Sequence, residues 1–436
     1  MSIVRGSKYS GGETSVPTPG TLRSAMGSRN FRRMFAGTFT SNIGTWMQNV
    51  ALISLAYDLT RDAAFTGIIT FAQLGPMLFL SPFGGALADR VSRRALIIGL
   101  SLIQLTMSIV LAVVATSEDP NKVVMVLVVA SIGCANAVNG PTMNALLPTL
   151  VPREDMQPAI AINSVSMNAS RVIGPLLGGL IMDTVDRHVG DLPLVGAVPG
   201  TSAVFFLNGL TYLFVIWAIT GVHVDFSPKG RSGLGPIQQL REGLTAARRD
   251  VLITRVLICI SVLSLCSLIF IYQMPILAEE HLDLTGAGFN LLFASFALGA
   301  AGGALSMGSW LSAHDRATTT RGALFVFAVS LAIFGSTTNR PIAFVSGFVL
   351  GAAYFVIVTA LSTTLQMRVA DEVRGRVMGL WMMAWAGFVP LGGLIAGPII
   401  DATSITAVLM FGAVVAAILG LTIDLRDPEL HALGAE

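Results

Sequence analysis

Apolar and polar residues in this chain segregate into blocks instead of alternating. Apolar runs occupy roughly residues 34–57, 66–87, 95–116, 123–147, 159–182, 201–221, 253–277, 287–310, 321–337, 341–365, 377–400 and 404–423. Most reach the ~20 residues with which an α-helix crosses a bilayer, and none keeps the two-residue period of a half-buried strand. The twelve runs predict an all-α integral membrane protein with twelve transmembrane helices. The longest interior connection, 222–252, follows the sixth run and divides the chain into two six-helix halves, 31–221 and 253–423. Residues 1–30, rich in Gly, Ser, Thr and Pro, predict a disordered N-terminal tail. Residues 424–436 form a C-terminal tail. Within the linker, Ile237, Leu240, Leu244 and Val251 recur at helical spacing with Arg241, Arg248 and Arg249 between them. This predicts an amphipathic helix, either lying on the membrane surface or solvated.

Composition agrees with lipid as the main solvent. The chain is 53% hydrophobic and 12% charged, about half the ~25% charged content of soluble domains. The net charge of +2 is uninformative, but its distribution is not. If the N-terminus lies inside, 22 of the 27 Lys and Arg residues fall on the inner side, and Arg61, Lys122, Arg187 and Arg340 on the outer. Arg171 lies within a span. Positive charge is retained in the cytoplasm, so both termini are expected there, in a multi-pass protein. Arg32-Arg33 precedes an apolar run, but that run is too long for an export signal and has no small-residue cleavage site. Cys134, Cys259 and Cys266 fall inside apolar runs without metal or disulfide spacing. The chain carries no phosphate-binding loop, zinc-protease histidine pair or nucleophile elbow. No enzyme, cofactor, metal site or nucleic-acid partner is therefore expected.

Two stretches carry more than hydropathy. Between the second and third runs stands Gly85-Ala86-Leu87-Ala88-Asp89-Arg90-Val91-Ser92-Arg93-Arg94, a short turn with three arginines and one aspartate. In the fifth run stands Gly174-Pro175-Leu176-Leu177-Gly178-Gly179. Gly174 and Gly178 give a small face for close helix approach, and Pro175 removes a backbone donor and permits a bend. The sequence Leu177-Gly178-Gly179-Leu180-Ile181 recurs 214 residues later as Leu391-Gly392-Gly393-Leu394-Ile395. Each copy follows a proline (Pro175, Pro390) and precedes an aspartate (Asp183, Asp401), as an internal duplication of the halves would produce.

Arg171 is the only formal charge deep in a span. A midplane arginine costs about 2.5–3.5 kcal/mol on the insertion scale, so it needs a polar cavity or a partner. Ser164, Asn168 and Arg171 share a helix face. Arg171 is either substrate-facing or a structural arginine bonded to a neighbouring helix. Other polar or aromatic candidates for a substrate cavity are Asn42, Trp46, Asn49, Asn136, Asn139, Tyr272, Gln273, Tyr354, Trp381 and Trp385. Asn and Gln equally serve to join helices.

The turn at 85–94 resembles the G-x-x-x-D-R-x-G-R-[RK] signature of the major facilitator superfamily, with Ser92 in place of glycine. The helix-five glycines resemble the antiporter motif of facilitator exporters. The segments 42–48, 151–155 and 374–378 are similar to those of bacterial exporters related to the enterobactin exporter and the macrolide and multidrug efflux facilitators. The resemblance implies a secondary active transporter of the bacterial cytoplasmic (inner) membrane, acting as a monomer. It would export small amphipathic, drug-like organic molecules by alternating access and proton antiport. A dedicated siderophore or metabolite exporter, or a lysophospholipid flippase, is the alternative. The resemblance also implies gating roles for Gly85, Asp89, Arg90, Arg93, Arg94, Gly174, Pro175, Gly178, Gly179 and Arg374. One departure bears on coupling: the fourth run lacks the arginine of proton-linked drug exporters, and no carboxylate lies deep in a span.

Overall fold

The structure is a computed structural model that describes residues 21–188, 199–224, 226, 235–284, 287–307, 311 and 314–426. The described residues form helices and no strand. After the short α1 (Leu22–Gly27) come α2 (Arg29–Thr60), α3 (Ala63–Arg90), α4 (Arg93–Val114), α5 (Lys122–Leu150), α6 (Met156–His188) and α7 (Gly200–Thr220). The linker supplies α8 (Pro236–Arg249). There follow α9 (Val251–Cys266), α10 (Met274–Leu282), α11 (Ala287–Met307), α12 (Arg316–Ser336) and α13 (Arg340–Arg368). The chain ends in α14 (Asp371–Met382), α15 (Phe388–Ala402) and α16 (Ile405–Thr422). Most of the expected 1–30 tail lies outside the described residues.

Among the described residues, ten helical segments are long and apolar enough to cross a membrane. α2 is long enough, at 32 residues, but its Ser, Thr, Asn and Gln residues and basic first turns lower its hydropathy. The seventh apolar run is not one helix. It breaks after Cys266, passes through a 3₁₀ turn at Ile269–Ile271 and restarts as α10, with Pro275 in its first turn. Proline there has no N–H to offer the preceding turn, so the helix has to begin anew. The eleventh run is helical but widens into a π-turn at Met383–Gly387 just before Pro390. The extra residue per turn accommodates a carbonyl that the proline cannot satisfy.

Buried residues gather into separate cores. Two clusters belong to α1–α7, the larger around Leu52, Ile69, Leu111, Met125 and Phe205. A third is built mainly from α9–α16 around Phe270, Phe327, Phe334 and Ile357, and takes in Val50, Tyr57 and Ala63 from the first group. The linker helix docks on the second group. Arg376 pairs with Glu242 at 2.8 Å, and Arg368 with Asp250 at 2.7 Å. Asp250 also caps α9, accepting from the backbone N–H of Leu252 and Ile253. Burial alone would push its carboxyl upward. The bonds from Arg368 and the two amides outweigh that and hold it below the usual carboxylate range.

Short connections make successive helices antiparallel. The turns at 91–92, 151–155 and 369–370 and the linker helix therefore share one face, the basic face. The turns at 61–62, 115–121, 283–284, 337–339 and 403–404 share the opposite, far face. The two groups meet closely toward the far face. A Cβ on Gly67 of α3 would lie 2.6 Å from the carbonyl oxygen of Gly393 in α15, and one on Gly179 of α6 would lie 2.7 Å from Asn290 Nδ2 in α11. Both members of the Leu-Gly-Gly-Leu-Ile repeat thus lie against the opposite group. Polar contacts reinforce the seam. The Asp401 carboxylate accepts from the N–H groups of Ala63 (2.8 Å) and Ala64 (2.9 Å), at the positive N-terminus of α3. Gln273 donates to the Ala63 carbonyl at 3.2 Å, Tyr57 donates to Glu280 at 3.0 Å, and Arg61 pairs with Glu279.

Two outcomes follow from this packing. Gly67→Val inserts a side chain where backbone meets backbone; overpacking of this kind costs about 1–3 kcal/mol and should open the far face. A cysteine at Gln273, buried in the native protein, is expected to react about tenfold faster with an impermeant maleimide in that background. At the linker, Asp250→Ala should lower thermal stability in detergent more than Asp250→Asn does. The amide can still cap α9, and loss of a cap costs about 0.5–2 kcal/mol. Because the folded protein depresses the Asp250 carboxyl, its contribution is present above the ordinary carboxylate range and is lost as pH falls through and below it. The melting-temperature gap between wild type and Asp250→Ala should close on acidification.

Candidate substrate site

The midpoints of three helices converge on one guanidinium. Arg171 lies near the centre of α6, Trp46 near the centre of α2 and Phe355 near the centre of α13. The Arg171 guanidinium carbon lies 5.3 Å from the Trp46 ring centroid and 4.7 Å from that of Phe355. Both rings offer the negative face of a π-system to the cation. Trp46 comes from the first group and Phe355 from the second, so Arg171 sits at the seam between them. Its polar contacts are few. One Nη donates to Asn168 Oδ1 at 3.4 Å, and the buried Nε has no partner among the described residues. No described Asp or Glu pairs with it.

The second group supplies the adjoining wall. Trp385 Nε1 donates to the Tyr354 hydroxyl at 2.7 Å, which leaves that hydroxyl's own proton available. Tyr354 stacks on Phe296, with centroids 6.4 Å apart, and meets Phe355 edge-on at 4.9 Å. Tyr272, half-buried, stands two residues before α10.

Exposure along the facing helices is graded. On α6, Gly178 and Gly179 are buried, Arg171 and Asn168 are half-buried, and Ser164, nearest the basic face, is exposed. On α13, Phe355 is buried, Thr359 and Ser362 are half-buried, and Gln366 is exposed. On α2, Asn42, Phe39 and Phe35 are half-buried, whereas Val50, Ile53 and Tyr57 toward the far face are buried. Exposure along these faces rises from the far face toward the basic face.

The other sequence candidates divide. Asn42 stands one turn from Trp46 on the open side, and Asn139 has a buried Oδ1 without a described partner. Asn49 accepts from Gln73 at 2.6 Å, and Asn136 accepts from Gln104, so each joins two helices of the first group. Gln273 belongs to the far-face seam, and Trp381 is buried in the core of the second group. Gly174 packs where a Cβ would lie 2.6 Å from that of Trp46, which fixes α6 against α2 directly beside Arg171. Pro175 is buried one residue further on. Arg93 is buried at the start of α4, Arg94 donates to the Thr220 carbonyl at 2.7 Å, and Arg374 donates to the Val369 carbonyl at 3.3 Å. The side chains of Gly85, Asp89 and Arg90 lie outside the described residues. Phe355 escaped notice because nothing in the sequence separates it from the other 22 phenylalanines.

Comparison with known proteins places this geometry. Residues 22–434 match the family described as transmembrane secretion effector. The chain is similar to the staphyloferrin A transporter of Staphylococcus aureus, 23% identical over 368 residues that cover 83% of this chain and 87% of that one. It is similar to macrolide efflux protein A of Streptococcus pyogenes, 24% identical with 85% and 89% covered. Its fold is that of the crystal structure of the nucleoside transporter NupG, with a TM-score of 0.69 at 13% identity, covering 91% of this chain and 98% of that one. The match over nearly the whole chain shows that this multi-pass membrane protein is a transporter, not an enzyme, and belongs to the transmembrane secretion effector family of the major facilitator superfamily.

Proposed function

We propose that this protein exports small amphipathic organic molecules across the bacterial cytoplasmic membrane by alternating access. The observation that carries the reading is the asymmetric seam. Arg171, Trp46 and Phe355 lie between the two groups, with buried residues toward the far face and more exposed ones toward the basic face. Twelve crossings are proposed, the ten apolar segments together with α2 and the broken α9–α10 pair, arranged as two six-helix halves. The basic face is read as cytoplasmic, with both termini, because basic residues are retained there. A molecule would enter from the cytoplasm and settle among the aromatic side chains. It would leave when the glycine contacts at the far face separate. The efflux names of the relatives support the outward direction.

Protons are the proposed counter-ion and the monomer the proposed working unit. With no described carboxylate beside Arg171, the proposed proton-carrying group is the Asp401 carboxylate, which bridges the halves at the far face. A dedicated siderophore exporter is a second reading, favoured by the relative named a staphyloferrin A transporter.

Efflux of fluorescent amphipathic dyes and labelled antibiotics from cells lacking their own pumps tests this reading. A protonophore is expected to abolish it, and Trp46→Ala is expected to slow it about tenfold through lost aromatic contact. Efflux indifferent to the protonophore would overturn proton coupling. No movement of any compound, with the protein present in the membrane, would overturn export of drug-like molecules.

A further inference from the structure

The surroundings of Arg171 determine what a transported molecule must bring. Trp46 and Phe355 cover the guanidinium from two sides. Guanidinium hydrogen-bond donors lie in its plane, in a fork that matches the two oxygens of a carboxylate or phosphate. Of the five N–H groups, the described structure engages one, weakly, at 3.4 Å from Asn168. The Nε–H is buried and has no acceptor among the described residues. The salt bridges among the described residues join other arginines to other carboxylates, and none includes Arg171. A structural arginine in this position would be expected to spend its donors on carbonyls or acids of neighbouring helices, as Arg33, Arg94, Arg255, Arg321 and Arg340 do.

We propose that Arg171 is the anion-recognition residue of the transport site, and that the molecules carried are amphipathic organic anions. This rests on the export reading above and narrows it. The anionic group, a carboxylate or a phosphate, meets the guanidinium edge from the open side of the seam. The apolar body lies along Trp46, Phe355 and the Tyr354–Trp385 pair. The Tyr354 hydroxyl, whose oxygen is occupied by Trp385, has its proton free to donate. Because the two rings belong to different groups, an anion that compensates the Arg171 charge also removes the penalty of closing the seam around an unpaired cation. An unliganded transporter keeps its seam open to the basic face. A neutral or cationic molecule of the same shape lacks that contribution.

Purified protein in proteoliposomes is tested with a xanthene dye bearing a free carboxylate and with its methyl ester, which differ only in that charge. A third arm uses a fluorescent lysophosphatidylglycerol, read by quenching in one leaflet, to separate a membrane-derived phosphate from a soluble anion. Wild type should transport the acid over the ester by about tenfold or more, the value of one charge-assisted hydrogen bond. In Arg171→Gln the ratio of acid to ester should fall toward one, and Arg171→Lys should retain part of it. Trp46 fluorescence quenched by the acid in wild type, with weaker quenching in Arg171→Gln, reads binding apart from turnover. If the lysolipid moves in an Arg171-dependent manner and the dye acid does not, the anion class stands and its source is the membrane. Equal transport of acid and ester by wild type, or a ratio that survives Arg171→Gln, overturns the proposal while export stands. If wild type moves no probe, the export reading itself fails.

Discussion

The structure depends on backbone approaching backbone between two groups of helices. Gly67 does so against the Gly393 backbone, and Gly179 comes as close to the Asn290 side chain. Helices that approach this closely gain dispersion contacts along their length, and in a membrane that packing substitutes for a hydrophobic driving force. These contacts lie toward the far face. The two groups are less closely packed toward the basic face, and the midpoints of α2, α6 and α13 meet at Trp46, Arg171 and Phe355. A seam tight at one end and open at the other is the simplest geometry from which alternating access can run.

The polar parts of the seam serve a different end from the glycines. Asp401 sits on the N-terminus of α3, where its carboxylate accepts from two backbone amides. Tyr57 with Glu280 and Arg61 with Glu279 add links between the groups at the same end. Each is modest where water has access, so these links hold the far face by a few small terms. At the linker the contacts are of another kind. Glu242–Arg376 and Asp250–Arg368 are ion pairs that fasten the linker helix to the second group.

Much of this was legible in the chain. Unbroken apolar runs gave the helices, the G-x-x-x-D-R turn and the helix-five glycines gave the family, and the solitary charge at Arg171 marked the place where the two groups meet. The breaks in the seventh and eleventh runs were not legible as runs, because Pro275 and Pro390 are apolar and do not interrupt hydropathy. The far-face seam was missed for a related reason. Asp62, Glu279 and Glu280 belong to no motif, Gln273 is expected in the substrate cavity, and only the fold brings 61–64 against 273–280 and 401. Asn49 and Asn136 looked like cavity residues, yet their partners Gln73 and Gln104 stand on helices whose facing could not be derived from one sequence. Phe355 carried no signal at all.

Paired spin labels at each face test the central claim most directly. In protein without a transported molecule, labels at Asp58 and Thr403 on the far face should give a short, narrow distance distribution. Labels at Glu154 and Gln366 on the basic face should give a long one. Adding a transported dye should lengthen the first distance and shorten the second together. Distances that ignore the dye, or that change at one face only, would contradict a two-sided seam that opens at one end as it closes at the other.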